Sequence, residues 1–138
     1  MPLYVVDIGS PGPLIQVGIR VGAGYEAIGR GGAPHSYIAL IDTGASNSTI
    51  SPRVVADVQP QFVEKTSLMR VGASPRRLRR YDVRLKLDGH LTPGRWFDLE
   101  AVETAAATPG VDVLIGQDLL LQLTLLYHGP LGKLVLMY

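Results

Sequence analysis

Along several short stretches of this chain, apolar and polar side chains alternate one for one, and glycine or proline closes each stretch; such a pattern admits strands and little else. Ile15-Gln16-Val17-Gly18-Ile19-Arg20-Val21 is the clearest case and predicts a strand with one buried face. Tyr81 to Asp88 alternates as cleanly and Trp96 to Val102 less so, and with Gly89 and Pro93-Gly94 between them they predict a hairpin. Tyr37-Ile38-Ala39-Leu40-Ile41 is mostly apolar and reads as a buried strand that delivers the polar turn Asp42-Thr43-Gly44. Val111 to Ile115 and Lys133 to Tyr138 add two more strands, Gly116 to Leu123 a short helix, and Ser51-Pro52 the start of a helical turn. The glycine-rich stretch Gly22 to Pro34 reads as a loop. With 16 glycines and 10 prolines in 138 residues and 46% hydrophobic content, the expectation is one all-β domain over 1–138 with its own core.

Several chemistries are excluded by what is missing. The chain has no cysteine, so it has neither a disulfide framework nor a thiol nucleophile nor a thiolate zinc site. His35, His90 and His128 are scattered without metal-ligand spacing, and neither metal nor cofactor is expected. The glycines between Gly22 and Gly32 lack the Gly-Lys-Ser/Thr of a phosphate loop. A net charge of +1 gives no global field toward nucleic acid or anionic lipid. The charge is nevertheless uneven: nine of the 13 basic residues lie between Lys65 and Arg95. Arg76-Arg77-Leu78-Arg79-Arg80 has no aromatic platform for bases beside it and reads as a solvated strand face. Met1 to Asp7 carries no basic leader, and the apolar stretch Val111 to Leu126 is broken by Asp112, Gln117, Asp118 and Gln122. A soluble, cytoplasmic protein that binds neither nucleic acid nor membrane is the expectation.

The chemical signal is Asp42-Thr43-Gly44. It follows the apolar Ile38-Ala39-Leu40-Ile41, is followed by Ala45-Ser46, and is joined much later by Val113-Leu114-Ile115-Gly116-Gln117-Asp118-Leu119-Leu120. Read alone, the first block fits a strand ended by an Asp-initiated turn. Together the two blocks resemble the retropepsin family of aspartic proteases, in which Ala-Leu-Leu-Asp-Thr-Gly-Ala precedes a flap and then an Ile-Ile/Leu-Gly-Arg-Asp/Asn-Leu-Leu element. The resemblance runs from about Ile15 to Tyr138.

That resemblance implies a closed, retropepsin-like acid-protease β-barrel with one short C-terminal helix, active as a two-fold dimer on peptide or protein substrates. Peptide hydrolysis without a metal or covalent intermediate needs a carboxylate as base and a carboxylic acid as donor, and two close carboxyls share one proton. The chain holds a single Asp-Thr/Ser-Gly, so the second carboxyl would come from Asp42 of another copy. By resemblance, Thr43 would bond across the interface to the partner's loop, and Gly44 would bring its N–H to the carboxylate. Ala45, Ser46 and Ile115, with a flap tip at Val71, Gly72, Ala73 and Ser74, would meet the substrate. Gly116 would pack beneath the catalytic loop, and Leu3–Ile8 and Leu134–Tyr138 would supply interface strands. The chain departs from the family in having Gln117 after that glycine instead of arginine, and Ser46 where an acid is usual; an uncharged hydrogen bond would stand in for the ion pair. A catalytically silent dimerisation or peptide-binding module on the same fold is the alternative.

Overall fold

The computed structural model describes residues 3–68, 74, 76–87, 94–106 and 108–138. Among the described residues, ten strands and three short α-helices follow in the order β1 (Leu3–Asp7), β2 (Leu14–Val21), α1 (Ala23–Ala27), β3 (His35–Ile41), β4 (Thr49–Ile50), α2 (Pro52–Val58), β5 (Gln61–Leu68), β6 (Arg76–Leu87), β7 (Trp96–Glu103), β8 (Val113–Ile115), α3 (Gln117–Leu120), β9 (Thr124–His128) and β10 (Lys133–Met137). The neighbours β2, β3, β8, β4, β7 and β6 close into a six-stranded barrel because β2 pairs with both β3 and β6. Closure removes free edges that would otherwise template pairing with other chains. β3 and β8 run parallel, with Ala39 opposite Val113 and Ile41 opposite Ile115. β4 is wedged between β8, antiparallel to it, and β7, parallel to it.

The alternation read from the sequence becomes the inner lining. Ile15, Val17, Ile19 and Val21 of β2 face inward with Val83, Leu85 and Leu87 of β6, Phe97 and Leu99 of β7, and Tyr37, Ala39 and Ile41 of β3. A second, three-stranded sheet in the order β1-β10-β9 adds Val6, Leu134 and Leu136 to the same core, and Tyr138 meets Phe97 edge-on at 5.9 Å between ring centres. The terminal strands assigned from sequence to an interface are thus paired with each other inside the chain, from Leu3 opposite Met137 to Asp7 opposite Lys133. Among the described residues no helix is long and apolar enough to cross a membrane.

Three differences from the sequence reading have local causes. The glycine-rich stretch contains α1, which lacks a side-chain cap; its Glu26 pairs with Arg20 of β2 at 3.6 Å and with Arg84 of β6, so tertiary ion pairs hold what propensity does not. β5 shows no alternation because it lies outside the ring, pairing only with β6 and exposed from Gln61 to Lys65. The helix expected over Gly116–Leu123 is only one turn, α3. The turn after Ser51 does extend to a full α2, with the Ser51 hydroxyl accepting from Val54 N–H at 3.4 Å, Pro52 in the first turn, and Gln59 closing it in the left-handed region at φ 52°.

β6 is long enough to serve two neighbours on one edge. Arg76 to Asp82 pair with β5 and Val83 to Leu87 with β2. At this hand-over the carboxylate of Asp82 occupies the space a Cβ on Gly22 would need, with Oδ2 only 2.0 Å from that position. Burial, then the nearby carboxylates of Asp98 and Glu100, push the Asp82 carboxyl above the usual aspartate range. A carboxyl that holds its proton more tightly folded than unfolded loses stabilising influence as pH rises through that window, and its ionised form opposes folding at neutral pH. Asp82→Asn is therefore expected to melt at a higher temperature than the parent at neutral pH, the gap closing as pH falls below about 4. Thermal denaturation over a pH series checks this, and a gap of constant size would refute the assigned cause.

Candidate active site

β3 ends in Ile41, buried, and the parallel neighbour β8 ends level with it at Ile115. The ladder continues one step further, the Asp42 N–H donating to the Ile115 carbonyl at 2.9 Å, so the backbone of Asp42 is fixed by the sheet while its side chain leaves it. The chain then reverses. Ala45 N–H donates to the Asp42 carbonyl at 3.2 Å, and Gly44 N–H donates to Asp42 Oδ1 at 2.9 Å, an Asp-initiated turn that orients the carboxylate. Asp42 is half-buried, while Thr43 and Gly44 are exposed. A Cβ on Gly44 would lie 3.3 Å from Asp42 Oδ1, a crowded but not impossible approach.

The turn is braced from below by the segment after β8. Gly116 lies so close to residues 45–47 that a Cβ there would come within 2.7 Å of the Asn47 carbonyl carbon and oxygen and 2.9 Å of the Ala45 carbonyl oxygen. Because the two backbones touch, they can bond directly: Gln117 N–H donates to the Ala45 carbonyl at 2.8 Å and Asp118 N–H to the Ser46 carbonyl at 3.3 Å. The Gln117 side-chain amide donates to the Thr43 carbonyl at 2.9 Å. The uncharged hydrogen bond expected from the resemblance in place of an ion pair is therefore made to the backbone of the Asp42 turn, not to the Ser46 side chain.

Asp118 lies within the first turn of α3, after Gly116 at its N-terminal cap. Its carboxylate accepts from Ser48 N–H at 2.9 Å, from the Ser48 hydroxyl at 2.6 Å and from Leu119 N–H at 2.9 Å. The same hydroxyl accepts from Gly116 N–H at 3.0 Å. Ser48 is 1% exposed, so this network runs in a nearly dry setting where each bond is strong and each loss costly. Nothing in the sequence pattern singles out Ser48 or this role of Asp118.

Of the residues expected at the site, Asp42, Thr43, Gly44, Ala45 and Ser46 form one continuous turn. Ile115 stands beside it but is 1% exposed: its side chain points into the core, and its backbone carbonyl is what the turn uses. Ser74 is exposed and outside any strand. Val71, Gly72 and Ala73 lie outside the described residues. Approaching that segment, β5 and β6 form an antiparallel arm, with Lys65 opposite Arg79 and Ser67 opposite Arg77.

No protein-family model matches the chain, and no curated protein sequence does. Its fold has close counterparts among solved structures. A retropepsin-like aspartic protease from Rickettsia conorii superposes with a TM-score of 0.63 at 12% identity, over 99% of this chain and 91% of that one. An aspartic proteinase from Irpex lacteus gives a TM-score of 0.53 at 14% identity over 99% of this chain and 47% of the other, so the chain spans about half its length. The fold is therefore retropepsin-like.

Three substitutions test the bracing. Gly116→Ala drives a methyl into backbone that has no rotamer to yield, and is expected to destabilise by about 2–3 kcal/mol. Asp118→Ala leaves Ser48 donors buried without an acceptor and is expected to cost about 3 kcal/mol, against about 1 kcal/mol for Gln117→Ala, whose bond is exposed. Urea unfolding of the three variants reads the order directly. If Asp118→Ala proved as mild as Gln117→Ala, the buried network would not be what holds the turn.

Proposed function

We propose that this chain, which has a retropepsin-like fold, is one subunit of an aspartic endopeptidase whose catalytic pair is Asp42 from each of two copies. The observation that carries the reading is Asp42 itself: a half-buried carboxylate, one oxygen held by Gly44 N–H, on an exposed turn braced by buried backbone contacts. A turn with no chemical task has no need of such support.

In the proposed mechanism two Asp42 side chains meet across a two-fold axis and share a single proton, because two adjacent carboxylates cannot both stay ionised. The ionised one takes a proton from a water molecule held between them, and that water's oxygen bonds to the scissile carbonyl carbon. The protonated one gives its proton to the carbonyl oxygen, forming a neutral gem-diol. Return of a proton from the pair to the amide nitrogen, with loss of one diol proton to a carboxylate, breaks the C–N bond and leaves an acid and an amine. Thr43 and Gly44 shape the pair, while Ala45, Ser46 and the arm formed by β5 and β6 are the chain's contribution to the walls around an extended peptide.

Asp42→Asn is expected to fold like the parent and to lose peptide cleavage by about a thousandfold or more. Added in excess, the same variant is expected to silence the wild-type chain by drawing it into mixed pairs. Cleavage of a peptide library across mildly acidic to neutral pH, with circular dichroism as the folding control, reads both effects. Undiminished turnover by Asp42→Asn would end the catalytic assignment, and a wild-type activity indifferent to excess variant would end the shared pair.

A further inference from the structure

Asp42 follows the C-terminal end of β3, and a cleft lies at the opposite end of the same strand, around His35, roughly 20 Å away at the usual rise of a strand. It has a volume of about 490 Å³, within the range of small-molecule sites. Arg20, Arg30, His35 and Asp57 give it polar groups; Tyr25 and Val58 give it an apolar side. None of these residues belongs to the Asp42 turn or its bracing.

The charges on the cleft do not balance. Its carboxylate, Asp57, is already engaged: it accepts the Tyr37 hydroxyl at 3.0 Å and faces Arg53 at 3.8 Å. Glu26, just beyond, is shared by Arg20 and Arg84, one anion between two cations. Arg30 has no carboxylate partner among the described residues and lies over the Tyr25 ring at 5.0 Å. Arg20 is stacked on Trp96 at 4.3 Å, which fixes its plane, and its Nε is buried without a hydrogen-bond partner among the described residues. Two guanidiniums line the cleft, Arg20 held over Trp96 with a carboxylate it must share with Arg84, and Arg30 over Tyr25 without an acid; such a pair suits an oxyanion, which accepts from guanidinium N–H groups.

We propose that this cleft binds a small molecule bearing a carboxylate or phosphate group, its oxyanion between Arg20 and Arg30 and its body against Tyr25 and Val58. The site is independent of Asp42 and of any proteolysis. Phenyl phosphate, benzoate and uncharged benzamide distinguish the two head groups from simple ring binding, each titrated into the whole chain and followed by NMR. At least one of the two anions is expected to bind saturably at about 5 mM or tighter and benzamide much more weakly; which anion binds identifies the head group. Arg30→Gln, an exposed loop change, is expected to weaken that anion about tenfold, as loss of one charge-assisted bond would, while Arg77→Gln on the distant arm leaves it unchanged. Benzamide binding as tightly as the anions, equal effects of the two substitutions, or no saturable binding of either anion by about 5 mM would overturn the proposal.

Discussion

Gly116 and the backbone of residues 45–47 lie in contact with no room for a side chain, and the rest of the site depends on that closeness. Only when the two backbones touch can Gln117 and Asp118 N–H groups reach the Ala45 and Ser46 carbonyls, and only then does the Ser48 hydroxyl lie where it can accept from Gly116 N–H while donating to Asp118. The turn that carries Asp42 is thereby tied at its start by the sheet, through the Ile115 carbonyl, and at its far side by a buried hydrogen-bond network. Networks of this kind, fully satisfied and sheltered from water, specify one conformation. The proposed sharing of one proton between two Asp42 carboxyls would need that degree of placement.

The barrel makes this arrangement possible by bringing distant segments into register. Parallel pairing of β3 and β8 aligns Ile41 with Ile115, and both strands then release their polar continuations on the same side. β4 follows immediately, wedged between β8 and β7, so the chain that leaves Asp42 is recaptured within a few residues. The loop is short and held at both ends, which limits the entropy it can regain by moving. Ser51, Arg53 and Asp112 extend the support: Asp112 accepts from the Ser51 hydroxyl at 2.7 Å and from Arg53 at 3.0 Å, anchoring the start of α2 to the residue just before β8.

Charge is partitioned on the outer surface. On the arm of β5 and β6, Arg80 Nη1 pairs with Glu64 and Glu100, while Arg76, Arg77 and Arg79 are exposed. Around the opposite end of β3, arginines outnumber the carboxylates that face them, and aromatic rings under Arg20 and Arg30 hold their planes open. The near-zero net charge of the whole chain conceals both local excesses.

Much of the fold was legible in the sequence because a strand with one wet face must alternate, and β2, β6 and β7 do. The Asp42 turn was legible because an Asp-Thr-Gly after an apolar run, with a glycine-bearing block later, resembles a known arrangement. β5 was not, since a strand paired on one side and exposed along most of its described length has no reason to alternate; nor was α1, which is held by ion pairs to strands remote in sequence. The roles of Ser48 and Asp118, and the turning of Ile115 into the core, belong to the tertiary structure alone. Periodicity is a local property and survives in the order of residues, so the sequence by itself determined the alternating strands and the all-β class, while the barrel and the candidate acid were reached through resemblance. Which groups meet across a separation of 70 positions is set by barrel closure and register, and there a single hydroxyl can be core, solvent or keystone until the strands have paired.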